Sequence, residues 1–130
     1  MTEVQRLSDE LRAELDRSRV NKRRVIELYS EIREISQEIA DESFYDYLDI
    51  VDTLPISEDY YNSIFDIPDD LSPRMRLQAM EVQEMIQILQ SELKRRPVDK
   101  SYVLELYFDI REMAQEIADE HFFNYLDTID

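Results

Sequence analysis

The stretch EIREISQEIADESFYDYLD at residues 31–49 returns as DIREMAQEIADEHFFNYLD at residues 109–127. The match runs without a gap from residues 11–52 to residues 89–130, and 24 of these 42 aligned positions are identical. A repeat at a fixed offset of 78 residues indicates that the chain builds one structural unit twice. We therefore expect a single domain over residues 1–130, with repeats at 1–52 and 79–130 and a connecting segment at 53–78.

Apolar residues recur every three or four positions in both repeats, which is the spacing of an amphipathic helix. In the first repeat this spacing predicts one helix from about Thr2 to Arg17 and a second from Lys22 to about Ile50. The core-facing stripe predicted for the second helix consists of Val25, Leu28, Tyr29, Ile32, Ile35, Ile39, Ala40, Ser43 and Tyr47. The second repeat carries the same pattern, and its first helix can begin earlier because Ser72 and Pro73 are typical of a helix N-terminus.

Each repeat is interrupted between its two helices, at SRVNK from residue 18 and at RPVDK from residue 96. Asn21 and Asp99 are suitable N-caps for the helices that follow. The connecting segment contains one more expected helix, a short one capped by Ser57. Two antiparallel hairpins with apolar stripes bury those stripes best against each other, which predicts an all-α four-helix bundle. The same stripes can also pair between chains, so a homodimer is the alternative.

Composition excludes several classes of function. The chain has no glycine, no cysteine and one histidine, which excludes glycine-rich phosphate loops, thiolate zinc sites and a charge-relay triad. No apolar run approaches the roughly 20 residues that a membrane-spanning helix needs, and the first residues do not resemble a signal peptide. We therefore expect a cytoplasmic protein without a membrane interaction and without a cofactor.

The net charge is −16, from 31 acidic and 15 basic residues. Such a charge repels nucleic acid and attracts basic partners. No Lys or Arg occurs between Arg33 and Arg74, an interval that contains twelve acidic residues. Carboxylates at the end of a helix oppose its macrodipole, so local helix stability does not explain their position. A merely solvated acidic surface, or adaptation to high salt, is the alternative explanation.

Tyrosines are interleaved with these carboxylates, and tyrosine is enriched in binding hot spots. This pattern predicts a non-enzymatic module that binds a basic protein surface, as an inhibitor or as a mimic of nucleic acid on a nucleic-acid-handling protein. The predicted partner-binding residues are Asp46, Asp49, Asp52, Glu58, Asp59, Tyr60, Tyr61 and Asp66.

One duplicated motif offers an enzymatic alternative. Glu38-x-x-Asp41 and Glu116-x-x-Asp119 resemble the Glu-x-x-Asp element of the all-α MazG-type nucleotide pyrophosphohydrolases. The resemblance implies Mg²⁺-dependent hydrolysis, with these four carboxylates as the metal ligands. A further alternative is a self-assembling structural protein, in which the basic hairpin tips of one copy meet the acidic helix ends of another.

Overall fold

The computed structural model describes residues 2–56 and 67–129. Within these residues it contains helices and no strand, which confirms the all-α class. The helices are α1 (Glu3–Leu15), α2 (Lys22–Ile50), a 3₁₀ helix (Val51–Thr53), α3 (Pro73–Leu93) and α4 (Lys100–Thr128). The short helix predicted after Ser57 lies outside the described residues.

The two long helices α2 and α4 begin at the predicted caps. The Asn21 side-chain oxygen accepts a hydrogen bond from the backbone N–H of Arg24 at 3.2 Å. The Asp99 carboxylate accepts one from the N–H of Tyr102, also at 3.2 Å. These bonds satisfy N–H groups that have no partner inside a helix, so they set where each helix begins.

Side chains also cap the two shorter helices. Ser72 accepts a hydrogen bond from the N–H of Met75 at 3.2 Å, and Pro73 stands in the first turn of α3, as predicted. Thr2 and Gln5 bond each other's backbone N–H in a capping box, so α1 begins at Glu3, one residue after its expected start. The predicted bounds of α1 and α2 are therefore accurate to within two residues.

The chain divides into two compact units, one of residues up to Tyr47 with those from Leu126 onward, and one of Leu48–Tyr125. In the first unit Leu7, Val25 and Leu28 are buried. An exposed ion pair of 3.3 Å also joins Arg24 of α2 to Glu10 of α1.

The second unit contains a well-defined apolar cluster between α3 and α4. Its buried members are Leu71, Ala79, Val82 and Ile117, and the partly buried residues packed against them are Ile67, Met75, Ile86, Ile110 and Met113. Residues from the start of α3 meet residues from the second half of α4, so the two helices run in opposite directions. Ile67 and Leu71, which precede α3, also pack in this cluster.

One part of the predicted core is wrong. Ile39 was expected in the buried stripe of α2, but 58% of its surface is exposed, and Ala40 and Ser43 are exposed as well. The matching residue of the second repeat, Ile117, is only 2% exposed. Helix α3 starts earlier in its repeat than α1 does. Glu3, the first residue of α1, corresponds to Glu81, whereas α3 already begins at Pro73. The first two turns of α3, with Met75 and Ala79, contribute to the cover over Ile117.

This asymmetry predicts different effects for the same substitution. Ile117→Ala should lower the free energy of unfolding by about 2–5 kcal/mol, because it leaves a cavity in a close-packed core. Ile39→Ala should change it by less than about 0.5 kcal/mol, because the side chain is largely solvated. Urea unfolding of dilute protein, followed by circular dichroism, compares the two variants directly. If both variants lost the same free energy of unfolding, Ile39 would belong to the core as much as Ile117, which would contradict the structure.

Candidate functional site

A row of exposed carboxylates follows one face of α2. We call it the acidic row: Glu34, Glu38, Glu42, Asp46 and Asp49. Its members are three or four residues apart, so they are neighbours on the helix surface. Like charges at this spacing destabilise a helix by about 0.2–0.5 kcal/mol per pair. The last turn of α2 contains no basic residue to offset them. The row therefore costs local stability, which makes it a candidate for a function.

The second repeat shows what the same row can bind. Glu116 accepts a hydrogen bond from the side-chain amide of Gln78 at 3.0 Å. Glu120 accepts bonds from the N–H of Ser72 at 3.2 Å and from its hydroxyl at 3.4 Å. Gln78 also donates to the backbone oxygen of Met113 at 3.1 Å. Thus carboxylates of α4 accept hydrogen bonds from N–H and O–H groups at the start of α3.

The matching carboxylates of the first repeat are Glu38 and Glu42, and both are exposed. They stand beside Ile39, which is exposed where Ile117 is covered. The first repeat thus carries the same combination of apolar and acidic groups that binds a helix start in the second repeat. This combination is the candidate partner-binding surface of the molecule.

Two residues of α4 that differ from their counterparts in α2 contact Asp70, which lies just before α3. His121 Nδ1 lies 2.9 Å and 3.0 Å from the two carboxylate oxygens of Asp70. The side-chain amide of Asn124 donates to the backbone oxygen of Asp70 at 2.9 Å. The first repeat has Ser43 and Asp46 at these positions. Serine has no imidazole nitrogen and aspartate has no side-chain amide, so these residues do not reproduce the contacts of His121 and Asn124.

Asp52 plays a structural part in the second unit. Its carboxylate accepts a hydrogen bond of 2.8 Å from the N–H of Val98, just before α4. The Arg96 guanidinium donates to the backbone oxygen of Leu54 at 3.3 Å and to that of Leu93 at 2.7 Å. An open groove of about 630 Å³ lies here, and its lining consists of Asp52, Leu54, Pro55, Ile56, Arg96 and Pro97. The Asp52 carboxylate and the Arg96 guanidinium in this groove both form hydrogen bonds with backbone groups.

The other predicted binding residues fall into two groups. Asp46 and Asp49 are exposed on α2, within the acidic row. The remaining five, Glu58, Asp59, Tyr60, Tyr61 and Asp66, lie outside the described residues, so their part in binding stays a prediction.

The four carboxylates of the metal alternative are not gathered into a site. Glu116 is bonded to Gln78, and Asp119 accepts a bond of 3.0 Å from the Gln115 side chain within α4. Glu38 is exposed on α2, and Asp41 is half-buried there. Among residues 2–56 and 67–129, no group of three or more His, Asp or Glu side chains is placed to hold a metal ion. The described residues therefore do not fit the Mg²⁺ centre that the resemblance implies.

Comparison with protein-family models, with curated proteins and with solved structures finds no match to this chain. Among the described residues, no helix combines the length and apolarity needed to cross a membrane.

The contacts of Asp70 generate a testable prediction. The double variant His121→Ser with Asn124→Asp gives the second repeat the residues that the first has at these positions. Amide hydrogen exchange at residues 69–72 should accelerate, because both side-chain contacts to Asp70 are lost and a carboxylate replaces a donor. Mass spectrometry of the exchanged peptides measures this change. Asp109→Asn, at an exposed position of α4, is the control; unchanged exchange in the double variant would refute the role assigned to these contacts.

Proposed function

We propose that this protein is a non-enzymatic binding module whose acidic row docks on a basic surface of another protein. The observation that supports the proposal is the difference between the repeats. Carboxylates of α4 are occupied by the start of α3, while Glu38 and Glu42 of α2 are exposed beside Ile39. Asp49, in the last turn of α2, opposes the helix dipole, and a partner that supplies positive charge would account for its position.

The class of partner follows from charge and spacing. Carboxylates four residues apart on a helix are about 6 Å apart along its axis. This distance is close to the rise of two nucleotides along the axis of one DNA strand, at about 3.4 Å each. A row of this kind can occupy a basic groove that otherwise binds a duplex, which would make the protein an inhibitor or a nucleic-acid mimic. The net charge of −16 accelerates association with such a groove and disfavours direct binding to nucleic acid.

The residues proposed for the contact include those expected from the sequence. Asp46 and Asp49 belong to the acidic row, and Glu58, Asp59, Tyr60, Tyr61 and Asp66 would extend the contact into the connecting segment. Tyrosines would add apolar contact area at small cost in conformational entropy. Asp52 contributes charge, while its hydrogen bond to Val98 holds the backbone in place.

The arrangement of the two repeats as antiparallel hairpins of one four-helix bundle is part of the same proposal. Its support is the apolar stripe in each repeat, which must be removed from water. A cytoplasmic location also stays a prediction. No observation favours the hydrolase alternative, since the described carboxylates do not gather into a metal site.

The proposal is tested by reversing charge within the acidic row. The variant Asp46→Lys with Asp49→Lys changes two exposed side chains and leaves Asp52 in place. Immobilised wild-type protein is used to capture partners from a lysate of its native host at low salt, and the captured proteins are identified by mass spectrometry. A basic nucleic-acid-handling protein should bind the wild type, be displaced by duplex DNA, and be lost from the charge-reversed variant.

The control variant is Glu105→Lys with Asp109→Lys, which makes the same change of net charge at exposed positions of α4. It should retain the partner, because its carboxylates lie outside the acidic row. Equal loss from both variants would show that only the total charge matters. If both variants retained the partner equally, the acidic row would not be the binding surface.

A further inference from the structure

The groove beside the turn that joins α3 to α4 is lined by two charged side chains of opposite sign. It has a volume of about 630 Å³, and Asp52 and Arg96 are its charged residues. Hydrogen bonds with backbone groups hold both side chains in place. Within the part of the chain that the structure describes, no ion pair joins the two. The groove therefore presents a positive and a negative group that do not neutralise each other.

The Arg96 guanidinium has N–H groups that its own fold does not use. A guanidinium has five N–H donors. Nη1 donates to the backbone oxygens of Leu93 at 2.7 Å and Arg95 at 2.8 Å, and Nη2 donates to that of Leu54 at 3.3 Å. At least two N–H groups, one on Nε and one on Nη2, thus have no acceptor among the described residues. Because paired N–H groups of a guanidinium match the two oxygens of a carboxylate, Arg96 is suited to bind one.

The Asp52 carboxylate supplies an acceptor on the same groove. One of its oxygens accepts a hydrogen bond of 2.8 Å from the N–H of Val98. An ionised carboxylate has about four acceptor positions, so Asp52 can accept a further N–H group. A ligand that fits both charged residues must therefore carry a carboxylate and an N–H donor close together.

The rest of the groove lining is apolar. It consists of Leu54, Pro55, Ile56 and Pro97, and 52% of the surface of Ile56 is exposed. Binding sites for small ligands have volumes of about 300–1,000 Å³, and they combine apolar walls with a few polar groups that fix the orientation of the ligand. The ligand of this groove should therefore also carry an apolar group.

The turn beside the groove has a local excess of positive charge. Residues 92–100 contain four basic and two acidic side chains, so a positive charge remains even when Asp52 is counted with them. Glu92 pairs with Arg95 at 3.8 Å, whereas Lys94 and Lys100 are exposed and have no acidic partner among the described residues. This local charge attracts an anionic group to the turn, although the net charge of the whole chain is −16.

We propose that this groove binds the carboxyl-terminal end of a peptide whose last side chain is apolar. The terminal carboxylate accepts hydrogen bonds from Arg96, and the last backbone N–H donates to Asp52. The apolar side chain packs against Ile56 and Pro97. All three groups are attached to one Cα atom, so a single residue meets both charged side chains. A fatty acid has no N–H group for Asp52, which favours a peptide.

The test is a titration of the isotope-labelled full-length protein with acetyl-Ala-Leu, followed by NMR. The backbone amide signals of Leu54, Ile56 and Val98 should shift until they saturate. The same peptide with an amidated carboxyl group should bind about tenfold more weakly or worse, because it has no carboxylate for Arg96. Octanoate should bind about tenfold more weakly or worse, because it has no N–H donor for Asp52.

Three outcomes of this titration would overturn the proposal. The first is the absence of saturable shifts with acetyl-Ala-Leu. The second is equal affinity for the free and the amidated peptide, which would leave Arg96 without a part in binding. The third is octanoate binding as tightly as the peptide, which would make the groove a site for apolar carboxylates in general.

A matched pair of variants assigns the charge that binds. Arg96→Gln should weaken binding of acetyl-Ala-Leu by about tenfold or more. Arg95→Gln removes the same charge from the neighbouring side chain, which does not line the groove, and should weaken binding by less than about twofold. Equal weakening would show that only the total charge of the turn matters, and it would overturn the proposal.

Circular dichroism checks that both variants remain helical, since Arg96 also holds backbone groups. If Arg96→Gln loses helix content, the comparison of free and amidated peptide on the wild type decides instead. The groove contains no residue of the acidic row, so this proposal does not rest on the proposed function. Capture of the basic partner is measured separately with the Asp46 and Asp49 variant, and the two proposals can fail independently.

Discussion

The burial of Ile117 beneath the start of α3 is the contact from which the differences between the two repeats follow. Because α3 begins two turns before the position at which α1 begins, it extends over the second half of α4. That extension covers an apolar side chain and supplies donors to Glu116 and Glu120. Without it, the same sequence motif in α2 presents an exposed isoleucine beside exposed carboxylates. The isoleucine of the repeated motif is thus covered in α4 and exposed in α2.

The connecting segment has a structural role of its own in this arrangement. Asp70 meets His121 and Asn124, and Leu71 enters the apolar cluster of the second unit. At the other end of the segment, Leu54 accepts a hydrogen bond from the Arg96 guanidinium. Both described ends are therefore fastened to the second repeat. The carboxylates of α2 do not share in these contacts, which is why the acidic row is the proposed surface for an external partner.

Several features of the fold could be predicted from residue spacing and from capping chemistry. Asn21, Asp99 and Ser72 cap the helices they were expected to cap, because a side-chain oxygen bonds N–H groups only two or three residues away. The burial of Ile39 was predicted wrongly, since its position in a helical stripe says only which side it faces. Whether another element covers that side depends on residues far away in the chain. Asp46 and Asp49 of the acidic row were predicted from the sequence as binding residues, but the bonds of Glu116 and Glu120 to α3 were not predicted.

The amino-acid sequence by itself determined the helices, their starting points and the faces on which charge and apolar groups lie. These features are set by contacts within about one helical turn, so spacing alone reveals them. Only the tertiary structure decided which carboxylates are bonded and which isoleucine is buried. The deciding contacts join residues 38, 48 and 51 positions apart, between Gln78 and Glu116, Ser72 and Glu120, and Asp70 and His121. Such contacts depend on how the segments pack in space, and two identical motifs can therefore have different surroundings.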